Sequence, residues 1–269
     1  MKDTLEEWLA EDLGKGDFTS ESVIPNSYCN ALINGGPGTL SGIVLVNKLL
    51  SKMNVTFSTN FTDGDEILDN ELIYELGGHA HDIMKIERLS LNILSHFSGI
   101  ASLTAKLVKL TQKINPNVVI LATRKTIPGI REFSKEAVGH GGGMTHRLRL
   151  DDAILIKDNH LKLSSSIAEA VRKSKEIHPN LTIEVEVDTI VQALEVTKSK
   201  ADRVMLDNFS PKEVAEAVSK IRQISDIEIE VSGGINSTNI ASYAPYADFI
   251  SMSSLTMSAP PVDFSLHVI

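Results

Sequence analysis

Between Thr123 and Lys162 the chain reads TRKTIPGIREFSKEAVGHGGGMTHRLRLDDAILIKDNHLK, and the residues best suited to chemistry are concentrated there. The stretch carries eight Lys or Arg against five Asp or Glu, a net +3, in a chain whose formal charge is −9. Three of the eight histidines and the run Gly141-Gly142-Gly143 fall inside it. Cations gathered on flexible backbone in an otherwise acidic chain fit a pocket for a small polyanion. The acidic remainder argues against nucleic acid, which needs a broad basic face to displace its counterions. A solvated basic loop is the plainer explanation of such charge, but apolar, strand-like runs at 118–121 and 153–156 flank the cations.

Other candidates lie further along. Glu184 and Glu186 are two residues apart in a strand-like run, so both point to one face. A carboxylate pair facing packed helices would be poorly solvated, which favours the interior of a barrel and a functional role. Lys157 directly follows Ala153-Ile154-Leu155-Ile156. Ending a buried strand on an ammonium group is costly unless an anion meets it. Asp207 reads equally well as a turn cap, Ser232-Gly233-Gly234 as an ordinary turn, and His146 beside Arg147 as a core histidine next to a surface arginine. Their joint placement is the stronger argument.

That placement follows from the elements. After Val118, strand candidates at 118–122, 153–156, 183–187, 203–206, 228–231 and 248–252 alternate with helix candidates at 132–138, 166–177, 189–199, 211–224 and 237–243. The helix at Pro211 has Ser210 as N-cap, proline at the first helical position and Glu213 to complete a capping box. Repeated β–α units imply parallel strands with right-handed crossovers, and about six of them suggest a (β/α) barrel, complete or not. A doubly wound sheet is the alternative, weakened because no glycine-rich dinucleotide fingerprint follows the first strand. In a barrel, function sits at the C-terminal ends of the strands. Those ends carry Thr123, Arg124 and Lys125; Lys157; Glu186; Asp207; Ser232, Gly233 and Gly234; and Ser253 and Ser254. Cations thus come early, carboxylates in the middle, and small residues able to approach a phosphate last.

Before Val118 the chain reads as a smaller α+β unit. Residues 4–13 form an amphipathic helix, 29–46 look strand-like with a break at Asn34-Gly-Gly-Pro-Gly38, and 55–61 and 72–76 continue in strands. From about Ile83 to Ile114 the apolar period becomes helical. Gly99 interrupts it where a close backbone contact is expected, and Asn115-Pro-Asn117 stops it.

A chain of 269 residues with 42 % hydrophobic content can bury one large barrel or two ordinary domains. No window has the 18 or more apolar residues of a membrane span. The acidic, amphipathic opening, MKDTLEEWLAEDLGKGD, resembles neither a secretory signal nor an Arg-rich transit peptide, so a cytoplasmic location is expected. The single cysteine, Cys29, rules out an intramolecular disulfide and a cysteine-based zinc cluster. It is expected to be a small buried residue.

Taken together, TRKT-PG-R at 123–131, GGG--HR at 141–147, LIKDNH at 155–160, EVEV at 184–187, MLDN at 205–208 and SGG at 232–234 resemble the quinolinate phosphoribosyltransferase (nicotinate-nucleotide pyrophosphorylase, carboxylating) family. EDLG-GD-TS at 11–20 and ER--LN---SGIA at 87–101 extend the resemblance over nearly the whole chain. It implies an α/β fold of type II phosphoribosyltransferase kind: an N-terminal α/β sandwich domain at 1–104, with the tail 257–269 packed back on it, and an incomplete parallel (β/α) barrel at 105–256. It further implies phosphoribosyl transfer from 5-phosphoribosyl 1-pyrophosphate to quinolinate with decarboxylation, in NAD biosynthesis. By that resemblance Thr123, Arg124, Lys125, His146, Arg147 and Lys157 bind substrate. The same resemblance implies that Arg88 reaches in from the other subunit of a homodimer, and it leaves open a higher homo-oligomer. Lys157, Glu186 and Asp207 are the catalytic set; Glu186 and Asp207 also hold Mg²⁺, directly or through water. Ser232, Gly233, Gly234, Ser253 and Ser254 hold the 5-phosphate.

The chain departs from the family pattern at several positions. Ala122 stands where Asp is usual before TRKT, Thr145 where Asn precedes the His-Arg pair, and Arg149 where Gly is common. Ser253-Ser254 replaces Gly-Ala, and Met257 replaces His. Ala122 also occurs in a sister group linked to molybdate-transport operons, but that group generally lacks the intact Lys157-Asp158-Asn159-His160 run. A nicotinate-type reaction without decarboxylation and a silent phosphate-ligand binder are the competing readings.

Overall fold

In the structure, a computed structural model describing residues 4–269, the chain divides into two compact units. The first gathers residues up to Ala105 together with His140–Gly142 and Ala259–Ile269; the second holds Lys106–Gly139 and Gly143–Ser258.

In the first unit α1 (Thr4–Leu13) and α2 (Phe18–Val23) come first, and the Asp17 carboxylate caps α2 by accepting from Ser20 N at 3.0 Å. Strands β1 (Tyr28–Gly35) and β2 (Gly38–Thr39) lead into α3 (Ile43–Lys52), followed by β3 (Thr56–Ser58), β4 (Glu66–Ile67), β5 (Glu71–His79) and the long helix α4 (Ala80–Gln112). The run expected to be strand-like to residue 46 therefore ends as strand at Thr39. Ile43 and Val44 favour strands by β-branching, yet Ile43, Val46, Leu49 and Leu50 lie on one buried helical face, and packing overrides propensity. The strand expected at 55–61 is confined to Thr56–Ser58, and Cys29 is only partly buried. Gly99 behaves as expected: a Cβ there would lie 2.3 Å from the carbonyl oxygen of Pro260.

The second unit is one parallel sheet. Its strands are β6 (Val119–Ala122), β7 (Met144–Thr145), β8 (Ile154–Ile156), β9 (Ile183–Val187), β10 (Arg203–Asp207), β11 (Glu228–Ser232) and β12 (Phe249–Met252). They lie in the order β7-β6-β12-β11-β10-β9-β8. β7 and β8 each pair on one side only, so the sheet curls without closing. Between the strands run α5 (Arg131–His140), α6 (Asp158–Leu163), α7 (Ile167–Ile177), α8 (Ile190–Val196) and α9 (Pro211–Ile221), and the four-residue α10 (Ser254–Met257) follows β12. Ser166, Thr189 and Ser210 cap α7, α8 and α9, the last with the capping box read from Ser210 and Glu213. The helix expected at 237–243 is a single 3₁₀ turn, Ile240–Ser242.

Strand alternation sorts the side chains. Ile183, Val185 and Val187 of β9, Val204 and Leu206 of β10, and Ile229 and Val231 of β11 are buried and apolar. The intervening residues, Glu184 and Glu186, Arg203 and Asp207, and Glu230 and Ser232, occupy the opposite face. A charged lining can exist there because the helix-facing positions supply the hydrophobic core. Finally β13 (Phe264–Val268) returns to the first unit and pairs antiparallel with β1, completing the sheet β13-β1-β5-β3.

Candidate active site

A cleft of about 460 Å³ opens at the C-terminal ends of the parallel strands, a size suited to a small ligand. Of the residues singled out in the sequence, Thr123, Arg124, Lys125, His146, Arg147, Lys157, Glu186, Asp207 and Ser232 all line it. They come from the loop after β6, the segment after β7, and the ends of β8 to β11. Gly233, Gly234, Ser253 and Ser254 follow β11 and β12 but are not in the lining. Arg88 is exposed on α4 in the first unit.

The cationic wall is built on short tethers. Lys125 is held by its backbone, with its amide donating to Thr123 Oγ1 at 3.1 Å and its carbonyl accepting from Thr256 Oγ1 at 2.7 Å. Arg124 Nε is buried and has no hydrogen-bond partner among the described residues. Arg147 Nη1 donates to the Ala153 carbonyl at 3.1 Å. Burial, and then the neighbouring Arg124, hold the Arg147 guanidinium below its usual range. A guanidinium whose charge its neighbour disfavours, beside one with an idle buried donor, is matched by a ligand bearing more than one carboxylate.

Opposite stands the acidic wall. Lys157 Nζ donates to Glu186, so the anion that meets the lysine at the end of β8 is a cleft carboxylate. The Lys157 amide in turn donates to His160 Nδ1 at 2.9 Å, tying the strand end to the first turn of α6. Asp207 has its carboxyl raised by burial and then by Glu186, while Lys157 and Lys125 pull it back. Beside it Asn208, at φ 60°, donates from Nδ2 to Asp207 Oδ2 at 2.6 Å. The Asn208 amide reaches Ser232 O at 2.9 Å. Glu186 and Asp207 offer carboxylate oxygens, which suit a hard, oxygen-preferring cation such as Mg²⁺, and Lys157 Nζ holds Glu186 in this structure.

At the back of these walls lie Glu184, which the sequence reading paired with Glu186, and two residues that it missed, Glu230 and Lys135. His146 Nδ1 accepts the Arg147 amide at 2.9 Å, which places the ring proton on Nε2, facing Glu184 Oε2 at 2.6 Å. Glu184 therefore lies one step below Glu186, buried rather than in the lining. Glu230, fully buried yet part of the cleft wall, stands beside it, its Oε2 3.7 Å from His146 Nε2 and 3.2 Å from Arg203 Nη1. Arg203 stacks 3.7 Å over the Phe249 ring. Burial raises both carboxyls, each to about 7. Glu228 and Glu230 repeat the two-residue spacing of Glu184 and Glu186, and that signal could have found Glu230. Lys135 sits on the buried face of α5 beside Ser134 and Val138; a lysine among buried positions was its only mark.

Comparison with known proteins covers both units. Residues 17–98 match the family model described as the N-terminal domain of quinolinate phosphoribosyl transferase, and residues 100–267 match its C-terminal domain. A probable nicotinate-nucleotide pyrophosphorylase (carboxylating) of Archaeoglobus fulgidus is 39% identical over 259 residues, covering 94% of this chain and 98% of that protein. The human nicotinate-nucleotide pyrophosphorylase (carboxylating) is 31% identical, covering 98% of this chain and 91% of its own. Among solved structures, the nicotinate-nucleotide pyrophosphorylase from Francisella tularensis superposes with a TM-score of 0.93 at 36% identity, over 98% of this chain and 94% of that one.

Proposed function

The chain belongs to the quinolinate phosphoribosyl transferase family, and on that premise we propose how its cleft carries out the reaction. The protein is a quinolinate phosphoribosyltransferase. It joins the pyridine nitrogen of quinolinate to the ribose of phosphoribosyl pyrophosphate, releases pyrophosphate and CO₂, and makes nicotinate mononucleotide for NAD biosynthesis.

Arg124 and Arg147 grip the two carboxylates of quinolinate, because a guanidinium can bind a carboxylate through two parallel hydrogen bonds where a lysine offers a point charge. Thr123 and His146 complete the wall behind them. As pyrophosphate leaves, positive charge builds at C1 of the ribose. Glu186 and Asp207 face that charge and stabilise it without having to reorganise. Lys125 and Lys157 face the departing anion. Glu186 and Asp207 are also the residues that would hold Mg²⁺, which when bound offsets charge on the leaving group. Ser232, Gly233 and Gly234, with Ser253 and Ser254, are assigned to the 5-phosphate.

Once ribosylated, the ring nitrogen is cationic. The carbon–carbon bond to the adjacent carboxylate breaks, its electron pair is drawn toward that nitrogen, CO₂ departs, and the carbon takes up a proton. The chain's task at this step is to hold the carboxylate in place and limit access of water. Arg88 contributes from the second subunit of a homodimer, and the enzyme works in the cytoplasm.

The observation that carries this assignment is the meeting of Arg124, Arg147, Lys125 and Lys157 with Glu186 and Asp207 in one cleft. Purified protein given quinolinate, phosphoribosyl pyrophosphate and Mg²⁺ should release CO₂ and pyrophosphate in equal amounts. Pyrophosphate without CO₂, obtained with nicotinate in place of quinolinate, would move the protein to the non-decarboxylating reaction.

A further inference from the structure

We propose that Lys135, outside the cleft lining, is a positioning residue for the reaction: its buried ammonium, acting with Glu184 through His146, fixes the dipeptide that aims Arg147 at the substrate. The inference rests on the assignment of Arg147 to a quinolinate carboxylate.

The dipeptide His146-Arg147 belongs to no helix or strand, since β7 ends at Thr145. A guanidinium on unsupported backbone would sample many directions, and small errors of placement are expensive in a site that works by orientation. Here nearly every polar group of the dipeptide is engaged. Lys135 Nζ donates to the His146 carbonyl at 2.6 Å and to the Arg147 carbonyl at 2.7 Å. The His146 amide donates to Ala122 O at 3.2 Å, and the Arg147 amide to the His146 ring at 2.9 Å. The ring is anchored on Glu184, and the Arg147 head on Ala153 O. Two consecutive carbonyls therefore converge on one ammonium, a tie that an apolar side chain could not make.

The choice of residue carries a cost that packing alone does not explain. Lys135 is 1 % exposed, and Arg131, Arg124 and Arg147 all bear on it, with the Asp152 carboxylate opposing them. Burial, with Arg131 next, brings its pKa down to about 8. A leucine or methionine at this position would fill the space without that penalty. What lysine adds is donors pointed at two carbonyls.

The test is Lys135→Met, which keeps the stem and removes the donors. The KM for quinolinate should rise roughly tenfold or more, while that for phosphoribosyl pyrophosphate stays within about twofold. The increase should disappear in an Arg147→Ala background, because two residues acting through one contact are not additive. An unchanged quinolinate KM, an equal loss for both substrates, or a full additional penalty in the double variant would overturn the inference while leaving Arg147 its role. If Arg147→Ala alone leaves the quinolinate KM unchanged, the substrate assignment fails first and this inference with it. Should Lys135→Met not fold, Lys135→Arg keeps the charge, displaces the donor atoms and is judged by the same criteria. Failure of both to fold would make Lys135 a folding residue and overturn the inference.

Discussion

His146 and Glu184 meet through Nε2 and Oε2 at 2.6 Å, and because the other ring nitrogen accepts the Arg147 amide, the histidine is held as its neutral Nε2–H tautomer. Burial is the largest influence on the ring and lowers its pKa, with the Glu230 carboxylate opposing. The cationic character of the cleft is therefore carried by Arg124, Arg147, Lys125 and Lys157. Nitrogen chemical shifts of labelled His146 should show the Nε2–H form throughout pH 6 to 8. A doubly protonated ring at pH 7 would contradict this picture.

The carboxyls under the histidine make stability depend on pH. Glu230 is raised from 4.5 to about 7, first by burial and then by Glu184. The folded state thus binds more protons than the unfolded chain between those values, and stability from this group is full below the lower and lost as pH rises through the upper. One such group is worth on the order of 3 kcal/mol. Glu230→Gln should flatten the fall in melting temperature between pH 5 and pH 7.5. An unchanged slope would show that the pair does not titrate in this window.

Arg124→Ala and Lys157→Ala should each lower turnover by at least about a hundredfold, comparable to losing one key electrostatic donor. Steady-state rates with both substrates saturating give the comparison. Rates like those of the parent protein in both variants would remove these residues from the site.

Gly233 has φ +88°, and a Cβ on it would lie 2.3 Å from Asn208 Oδ1 and 2.6 Å from Asn208 N. Gly233→Ala should destabilise the fold by roughly 1–3 kcal/mol through backbone strain and displacement of Asn208. As Asn208 is bonded to Asp207, the KM for phosphoribosyl pyrophosphate should rise as well. Chemical denaturation and steady-state kinetics measure the two effects separately.

If Arg88 works across a dimer, neither Arg88→Ala nor Lys157→Ala alone should have appreciable activity. Refolding the two together should recover a fraction of the parent rate, since mixed dimers then contain an intact site. No recovery in a demonstrated mixed dimer would place Arg88 outside the shared site.

The alternation of strands and helices after Val118 was legible because each strand is a short apolar run and several helices announce their starts, Ser210 and Pro211 most clearly. The cleft residues were legible for a related reason: in parallel β–α units, strand ends gather on one side, and Lys157, Glu186, Asp207 and Ser232 all lie within one residue of a strand's end. Where the reading slipped, packing had the deciding voice. Ile43–Lys52 begins with β-branched residues but buries one helical face. Ile240–Ser242 is a single 3₁₀ turn that runs on into further turns before β12 begins at Phe249.

By itself the sequence determined the parallel-sheet architecture, the family and nine of the side chains that line the cleft, because period, capping and motif spacing are local properties of the chain. Tertiary structure alone decided that Glu184 lies under the cleft while Glu186 lies in it, that His146 is neutral, and that Lys135 reaches the His146-Arg147 dipeptide from a separate helix. Those outcomes depend on strand register and on burial, which set which charges meet and how much water they keep, and neither can be read from neighbours along the chain.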